Sequence, residues 1–198
     1  MFKKLREGGQ GFTMIELLIV IAVLGILAVA VLSAINPIEQ INRGKDTGTR
    51  SDAEQLLSAS DRYYTSKGYY PWMLNAQSVN YAVTPLVEIA TSTQTFGVDA
   101  QQVLTRLSSG GTEELKASFV TRIVGTDVTH LWLYHNNLSS GSTYVCFIPK
   151  SGSFREEAWN RCKATLPGDF PTTACPATAA CTLAATSSTA IGCYICLP

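Results

Sequence analysis

Glu16 is the titratable residue whose surroundings fit its charge least well. It lies in GQGFTMIELL, near the start of an apolar stretch from Phe12 to Ile35 that contains no other charged residue. A carboxylate at the centre of a membrane helix costs about 2.5 to 3.5 kcal/mol on insertion scales, so such a residue usually has a partner or a function. Glu16 would lie only about 6 Å along a helix from Phe12, so solvation among lipid headgroups is the alternative explanation.

Six cysteines form the second reactive set, and all of them lie in the final third of the chain: Cys146, Cys162, Cys175, Cys181, Cys193 and Cys196. Outside the cytoplasm three disulfides are expected, although the sequence does not give their connectivity. The tail from residue 168 has little apolar mass, and each bridge would stabilise it by about 2 to 4 kcal/mol. A zinc site of Cys175, Cys181, Cys193 and Cys196 is the alternative, but the first pair is spaced wider than usual.

Other polar residues give no constellation that could carry a reaction. His130 and His135 lie on one predicted strand, and their odd separation points them to opposite faces, so one metal could not easily bind both. Glu156 and Glu157 are predicted to lie in the first turn of a short helix, where the helix dipole favours negative charge. No nucleophile, phosphate loop or metal cluster accompanies them, so we predict no catalytic residue, metal or cofactor, and no enzyme.

Charge and hydropathy place the chain at a membrane. The formal net charge is zero, and without a clustered basic face no nucleic-acid site is expected. The stretch Phe12 to Ile35 is long enough to cross a hydrocarbon core of about 30 Å as a helix. Lys3, Lys4 and Arg6 predict that its N-terminal side stays in the cytoplasm, so residues after Pro37 lie outside, where cysteines oxidise.

A secretory signal peptide cleaved near Ala30 is the obvious alternative for this segment, because a basic start and a small-residue triplet accompany the apolar run. Two features count against it. The apolar run is longer than the usual ~7 to 15 residues, and a passive signal segment has no reason to contain Glu16.

The sequence GFTMIELLIVIAVLGIL closely resembles the processing and assembly motif of type IV prepilins and related pseudopilins. The resemblance implies that a prepilin peptidase cuts after Gly11, that Phe12 becomes the N-methylated N-terminus, and that the apolar segment is retained. Glu16 matches the acidic position of the family, whose carboxylate is thought to pair with the N-terminal amine of a neighbouring subunit. In a dry helix bundle such a pair would specify the register of assembly more than strengthen it.

Beyond the apolar segment, residues 38 to 64 keep an apolar stripe at helical spacing. Pro37 is expected to kink or locally melt the helix, because it lacks an N–H and clashes with the preceding turn. Gly44 and Gly48 could extend this into a flexible segment over residues 36 to 50, or could merely allow close packing or mark a short loop. Gly68 is predicted to end the helix as a C-cap beside Lys67.

The remaining chain predicts a small head. YYPW, residues 69 to 72, is expected to pack in the core or between subunits, with carbohydrate stacking as the alternative. Residues 75 to 111 are expected to form a loop-rich connector with a short helix near 99 to 108. Three strands are predicted in ASFVTRIVG, VTHLWLYHNN and STYVCFIPK, forming an antiparallel meander on the amphipathic helix. The fold class is α+β, with a disulfide-stapled C-terminal region.

These expectations divide the chain into a cleaved leader (1–11), a transmembrane or filament-core helix (12–35), an amphipathic continuation (36–67) and an extracytoplasmic head (68–198). The resemblance implies a homopolymeric type IV pilus subunit for adhesion, twitching motility or DNA uptake. Its partners would be the prepilin peptidase and N-methyltransferase and the pilus assembly machinery, and it would move from the membrane to an extracellular filament. The alternatives are a pseudopilin of a type II secretion or competence system, and a membrane-anchored binding module that never polymerises.

Overall fold

The computed structural model describes residues 11–34, 36–77, 82–89, 100–109, 113–125, 129–175 and 192–198. The chain divides into two compact units, Met1–Ile38 and Glu39–Pro198. The elements in chain order are α1 (Met14–Ala34), α2 (Pro37–Lys67), β1 (Val83–Glu88), α3 (Ala100–Ser108), α4 (Ala117–Ile123), β2 (Leu131–His135), β3 (Thr143–Phe147), α5 (Gly152–Lys163), a 3-10 turn (Thr172–Ala174) and β4 (Ile195–Leu197). The predicted α+β class, with a long apolar helix first, is confirmed.

Helix α1 ends at Ala34 and α2 begins at Pro37, so the two are separate elements where Pro37 predicted an interruption. A proline fits the first turn of a helix, where its missing N–H is not needed. From there α2 continues as one helix through Gly44 and Gly48. The locally unwound segment considered for residues 36 to 50 is therefore not seen at the glycines.

Helix α2 buries one face against the head, and this face begins at Asp46. The buried residues are Asp46, Thr49, Ala53, Leu56, Leu57, Ala59, Ser60 and Tyr63. Ile38 and Ile41, which belong to the predicted stripe, are 69% and 59% exposed. The helix ends as predicted: Gly68 has a φ of 77°, and its N–H donates to the carbonyl of Tyr64 at 2.7 Å.

The four strands form one antiparallel sheet in the order β1-β2-β3-β4. Strands β2 and β3 lie where the sequence predicted them, and α3 confirms the short helix of the connector. The first predicted strand, ASFVTRIVG, is wrong, because this segment forms α4. Its two buried residues, Phe119 and Ile123, are four positions apart, which is a helical spacing. The prediction also missed β1 and β4.

The sheet has a buried cluster on each side. The larger one packs residues of α2, such as Leu56 and Tyr63, with Leu133, Val145 and Ile195 of the sheet. The smaller one lies on the other face and includes Tyr144, Cys146, Phe170, Ala174 and Cys196. Both faces of this small sheet are therefore covered by apolar residues. The covering residues come from α2 and from short elements distant from one another in sequence.

The aromatic segment after α2, residues 69 to 72, packs in the core, which is one of the two positions predicted for it. The Tyr70 ring stacks between Tyr64 and Trp72, with centroid distances of 4.5 and 4.6 Å. Trp72 is almost completely buried, and both Tyr70 and Trp72 lie near the His135 ring. The aromatics therefore cover the end of α2 and one end of the sheet.

The polar residues of the strands and α5 have structural surroundings. His130 pairs with Glu88, whereas His135 is buried, so the two histidines do not meet. Helix α5 begins at Gly152 after the N-cap Ser151, so the prediction that Glu156 and Glu157 occupy its first turn is wrong. Ser151 starts the helix earlier because its side chain accepts the N–H of Phe154.

Disulfides join Cys146 to Cys196 and Cys162 to Cys175, and Cys193 is also disulfide-bonded. Cys181 lies outside the described residues. The first bond links opposite residues of β3 and β4, and the second links α5 to the 3-10 turn. The four-cysteine zinc site is therefore wrong, because Cys175 and Cys196 are bonded to cysteines outside that proposed set.

Candidate assembly site

The junction between Gly11 and Phe12 is open to solvent. Both residues are exposed, with Phe12 at 89%, and an added Cβ at Gly11 would meet nothing within 4 Å. Residues 1 to 10, which form most of the predicted leader, lie outside the described residues. A peptide bond in exposed chain just before a helix is accessible to a peptidase.

Glu16 closes the N-terminus of α1 through a capping box with Thr13. One carboxylate oxygen, Oε2, accepts the Thr13 N–H at 2.8 Å and the Thr13 hydroxyl at 2.7 Å. In return, the Glu16 N–H donates to the Thr13 hydroxyl oxygen at 3.3 Å. The reciprocal pair satisfies donors that the first helical turn leaves without a partner.

This role of Thr13 was missed by the sequence reasoning, although the signal was present. Thr-x-x-Glu before an apolar run is the sequence pattern of a capping box. Both Thr13 donors bind Oε2, and no other described residue donates to Oε1 of Glu16. The carboxylate is therefore fixed in orientation, with one oxygen still open to a further donor.

From Met14 to Ser33, helix α1 presents apolar side chains on all sides and buries none of them. The span Met14–Ser33 has a mean hydropathy of 3.1 and none of it is buried; among the described helices it alone is long and apolar enough to cross a membrane. Its 21 residues extend about 31 Å at ~1.5 Å per residue. A helix that is apolar all round is stable in a membrane or in a bundle of other helices, not in water.

A groove between α2 and α4 has a volume of about 770 Å³. Two ion pairs cross it or border it: Arg62 with Glu114, and Arg122 with Asp52, both at 2.7 Å. Burial raises the pKa of Asp52, and the nearby Arg122 guanidinium opposes this effect. These charges pair with each other, so the two ion pairs join α2 to the segment 114–122.

Ile38 and Ile41, near the start of α2, are exposed apolar residues. Gly44 and Gly48 are exposed as well, and an added Cβ at either would meet nothing within 4 Å. Close packing within this chain therefore does not explain the glycines. The buried residues of α2 begin at Asp46, which the sequence reasoning did not single out.

Comparison with known protein families gave one match, at the N-terminal end of the chain. Residues 9–32 match the family model described as the prokaryotic N-terminal methylation motif. No curated protein and no solved structure matches the chain. The matched region contains the Gly11–Phe12 junction, the Thr13–Glu16 capping box and almost all of α1. We conclude that the chain is a type IV prepilin-like protein.

Proposed function

We propose that this protein is a structural subunit of a type IV pilus. The observation that carries the proposal is α1, an apolar helix exposed on all sides, whose one carboxylate lies in its first turn inside the matched motif. Peptidase cleavage after Gly11 leaves Phe12 as an N-methylated N-terminus. The retained helix then leaves the membrane to pack with other copies in an extracellular filament.

Glu16 would pair with the Phe12 amine of a neighbouring subunit. The open Oε1 atom supports this, because the capping box uses only Oε2. In a dry helix bundle an unpaired carboxylate or ammonium carries a desolvation penalty of several kcal/mol, so slipped registers that leave both unpaired are disfavoured. The pair would therefore select one register of the bundle.

The rest of the chain would follow the same arrangement. Residues 1–11 are the discarded leader, 12–35 the filament-core helix, 36–67 its amphipathic continuation and 68–198 the exposed head. Lys3, Lys4 and Arg6 favour a cytoplasmic N-terminus before assembly. The partners are identical subunits, the prepilin peptidase and N-methyltransferase, and the pilus assembly machinery. Adhesion, twitching motility and DNA uptake are the uses that such a filament would serve.

A pseudopilin of a type II secretion or competence system is the second candidate, since it would use the same motif. The disulfides of the head favour the pilus subunit, because an extracellular filament exposes each head permanently and covalent bridges resist unfolding there. A membrane-anchored module that never polymerises would leave the open oxygen of Glu16 without a use.

Intact mass tests the processing step. Subunits purified from surface fibres should begin at Phe12 and carry one extra methyl group, and reductant should add the mass of two hydrogens for each disulfide. A chain that still contains residues 1–11, or one that begins after Ala30, would contradict the proposal.

Two substitutions at the same position test assembly. Glu16→Ala should be exported and folded yet form no filaments, while Glu54→Ala, an exposed carboxylate of α2, should behave as the wild type. Glu16→Gln separates the two roles, because glutamine also completes a capping box but has no charge. Absence of filaments with Glu16→Gln supports the charge pair. Normal filaments with Glu16→Ala would disprove the assembly role. If Glu16→Gln forms normal filaments and Glu16→Ala does not, the charge pair is disproved and the capping role of Glu16 remains.

A further inference from the structure

Asp46 is a buried carboxylate that the assembly motif does not use. It is 0% exposed and lies on α2, yet its partners are more than a hundred residues away in sequence. Its oxygens accept the Lys150 N–H at 3.0 Å, the Ser151 N–H at 2.7 Å and the Ser151 hydroxyl at 2.6 Å. A buried carboxylate is tolerated only when several donors replace its water, and here they do so.

Glu39 binds the same segment two turns earlier. Its Oε1 atom accepts the Gly152 N–H at 2.7 Å. Gly152 is the first residue of α5, so Glu39 and Asp46 both place negative charge at the N-terminus of that helix. The first N–H groups of a helix have no partner within it, and its dipole favours an anion there.

Arg50 extends the contact by one further turn of α2. It pairs with Glu157, and its guanidinium carbon lies 4.7 Å from the centre of the Phe154 ring. The spacing of Glu39, Asp46 and Arg50 places all three on one helix face. This face, with residues 150–157, is called the carboxylate clasp below.

The clasp spans the two glycines that the sequence predicted would weaken the helix. Relative to alanine, each glycine disfavours a helix about fivefold in equilibrium constant. Apolar burial does not compensate, because Ile38 and Ile41 are exposed and the buried face starts at Asp46. The contacts at Glu39 and Asp46 are those that hold this part of α2 to the head.

The division of the chain into compact units falls at the same place. The first unit ends at Ile38 and the second begins at Glu39, the residue that makes the first contact of the clasp. Glu39 thus belongs to the same compact unit as residues 150–157.

We propose that Glu39 and Asp46 are positioning residues that keep α2 helical across Gly44 and Gly48 and fix it to the head. Helix α2 consequently stays continuous from Pro37 onward. Without the clasp, residues 39–50 become a second deformable segment. The consequence for filaments, namely heads that are no longer held at one fixed place on α2, rests on the proposed function; the clasp itself does not.

Amide hydrogen exchange of the full chain in detergent micelles tests the clasp directly. Asp46→Asn keeps the size of the side chain but removes its charge, and we expect exchange in residues 39–50 to rise about 10-fold to 100-fold. Exchange in β2 and β3 should stay unchanged. Glu54→Gln is the matched control, since it removes an exposed charge from the same helix and should leave residues 39–50 as in the wild type.

A rescue distinguishes this mechanism from general damage to the fold. Gly44→Ala with Gly48→Ala adds no clash, because nothing lies within 4 Å of either added Cβ. In the Asp46→Asn background these two changes should slow exchange in residues 39–50 again by about 30-fold. A protein that had lost its head packing would not recover in this way.

Several outcomes would overturn the proposal. They are wild-type exchange in residues 39–50 of Asp46→Asn, or failure of the two alanines to restore protection. If Asp46→Asn also loosens β2 and β3, Glu39→Gln is the deciding variant, and unchanged exchange in its residues 37–43 would overturn the clasp. Filaments are counted separately: a wild-type chain that forms none contradicts the proposed function and leaves the exchange result valid.

Discussion

The disulfide between Cys162 and Cys175 ties the end of α5 to the 3-10 turn, and its removal should destabilise the head by about 3 kcal/mol. The bonded cysteines are 13 residues apart in sequence. In the chain-entropy treatment, closing a loop of that length removes conformational entropy from the unfolded chain worth about 3 kcal/mol at 25 °C. Because domains are stable by only about 5 to 15 kcal/mol, the loss would be a large fraction of the total.

Urea unfolding of the full chain in detergent measures this loss. All three tryptophans, Trp72, Trp132 and Trp159, lie in the head and report its unfolding by fluorescence. With a urea dependence of about 1 to 3 kcal/mol/M, Cys162→Ala with Cys175→Ala should lower the midpoint by about 1 to 3 M. Thr172→Ala, an exposed change in the same turn, should cost less than about 0.5 kcal/mol.

In the chain-entropy treatment the disulfide acts on the unfolded chain and leaves the native contacts unchanged. Hydrogen exchange of the native double variant should leave residues 164–174 as protected as in the wild type. A midpoint shift below about 0.3 M would contradict the entropy estimate. A full shift accompanied by loss of native protection in residues 164–174 would show that the bond acts instead by holding native contacts.

Two further predictions concern the head. Leu56→Ala should lower the free energy of unfolding by about 3 to 5 kcal/mol, because Leu56 is 1% exposed in the core. Leu74 is 59% exposed, so Leu74→Ala should change this free energy by less than about 0.5 kcal/mol. Equal effects of the two changes in urea unfolding would contradict the described core. Burial, aided by the hydrogen bond with Tyr69, raises the pKa of Tyr63 from 10.0 to about 12. The unfolded chain therefore releases this proton first, so the contribution of Tyr63 is fully present below pH 10 and is lost as the pH rises towards 12. Urea midpoints from pH 9 to 12 should fall less steeply for Tyr63→Phe, and an identical slope would refute this assignment.

The elements that the sequence predicted correctly are those whose signals are local. The apolar span of α1, the Gly68 cap and the strands β2 and β3 each follow from residues adjacent in sequence. The capping box of Thr13 and Glu16 belongs to this class too, although its Thr-x-x-Glu pattern was not used. These features need no distant contact, because the helical and turn hydrogen bonds form within a few residues.

Segment 117–123 shows where local signals fail. Its β-branched and aromatic residues favour a strand, yet it forms α4, because Phe119 and Ile123 reach the core together only from one helix face. Strand β4 was missed for the opposite reason. Its three residues lie in a tail of low apolar content and become a strand by pairing with β3, where a disulfide fixes the register.

By itself, the sequence determined the N-terminal methylation motif and the membrane-length helix, since a Gly–Phe junction, a carboxylate and an apolar span are properties of neighbouring residues. It also predicted disulfides among the cysteines without choosing their pairs. The tertiary structure alone decided the pairing of four cysteines, the helical state of α4 and the burial of Asp46. The donors that make a buried carboxylate tolerable at position 46 come from residues 150 and 151. These contacts span more than a hundred residues, so no local pattern in α2 predicts them.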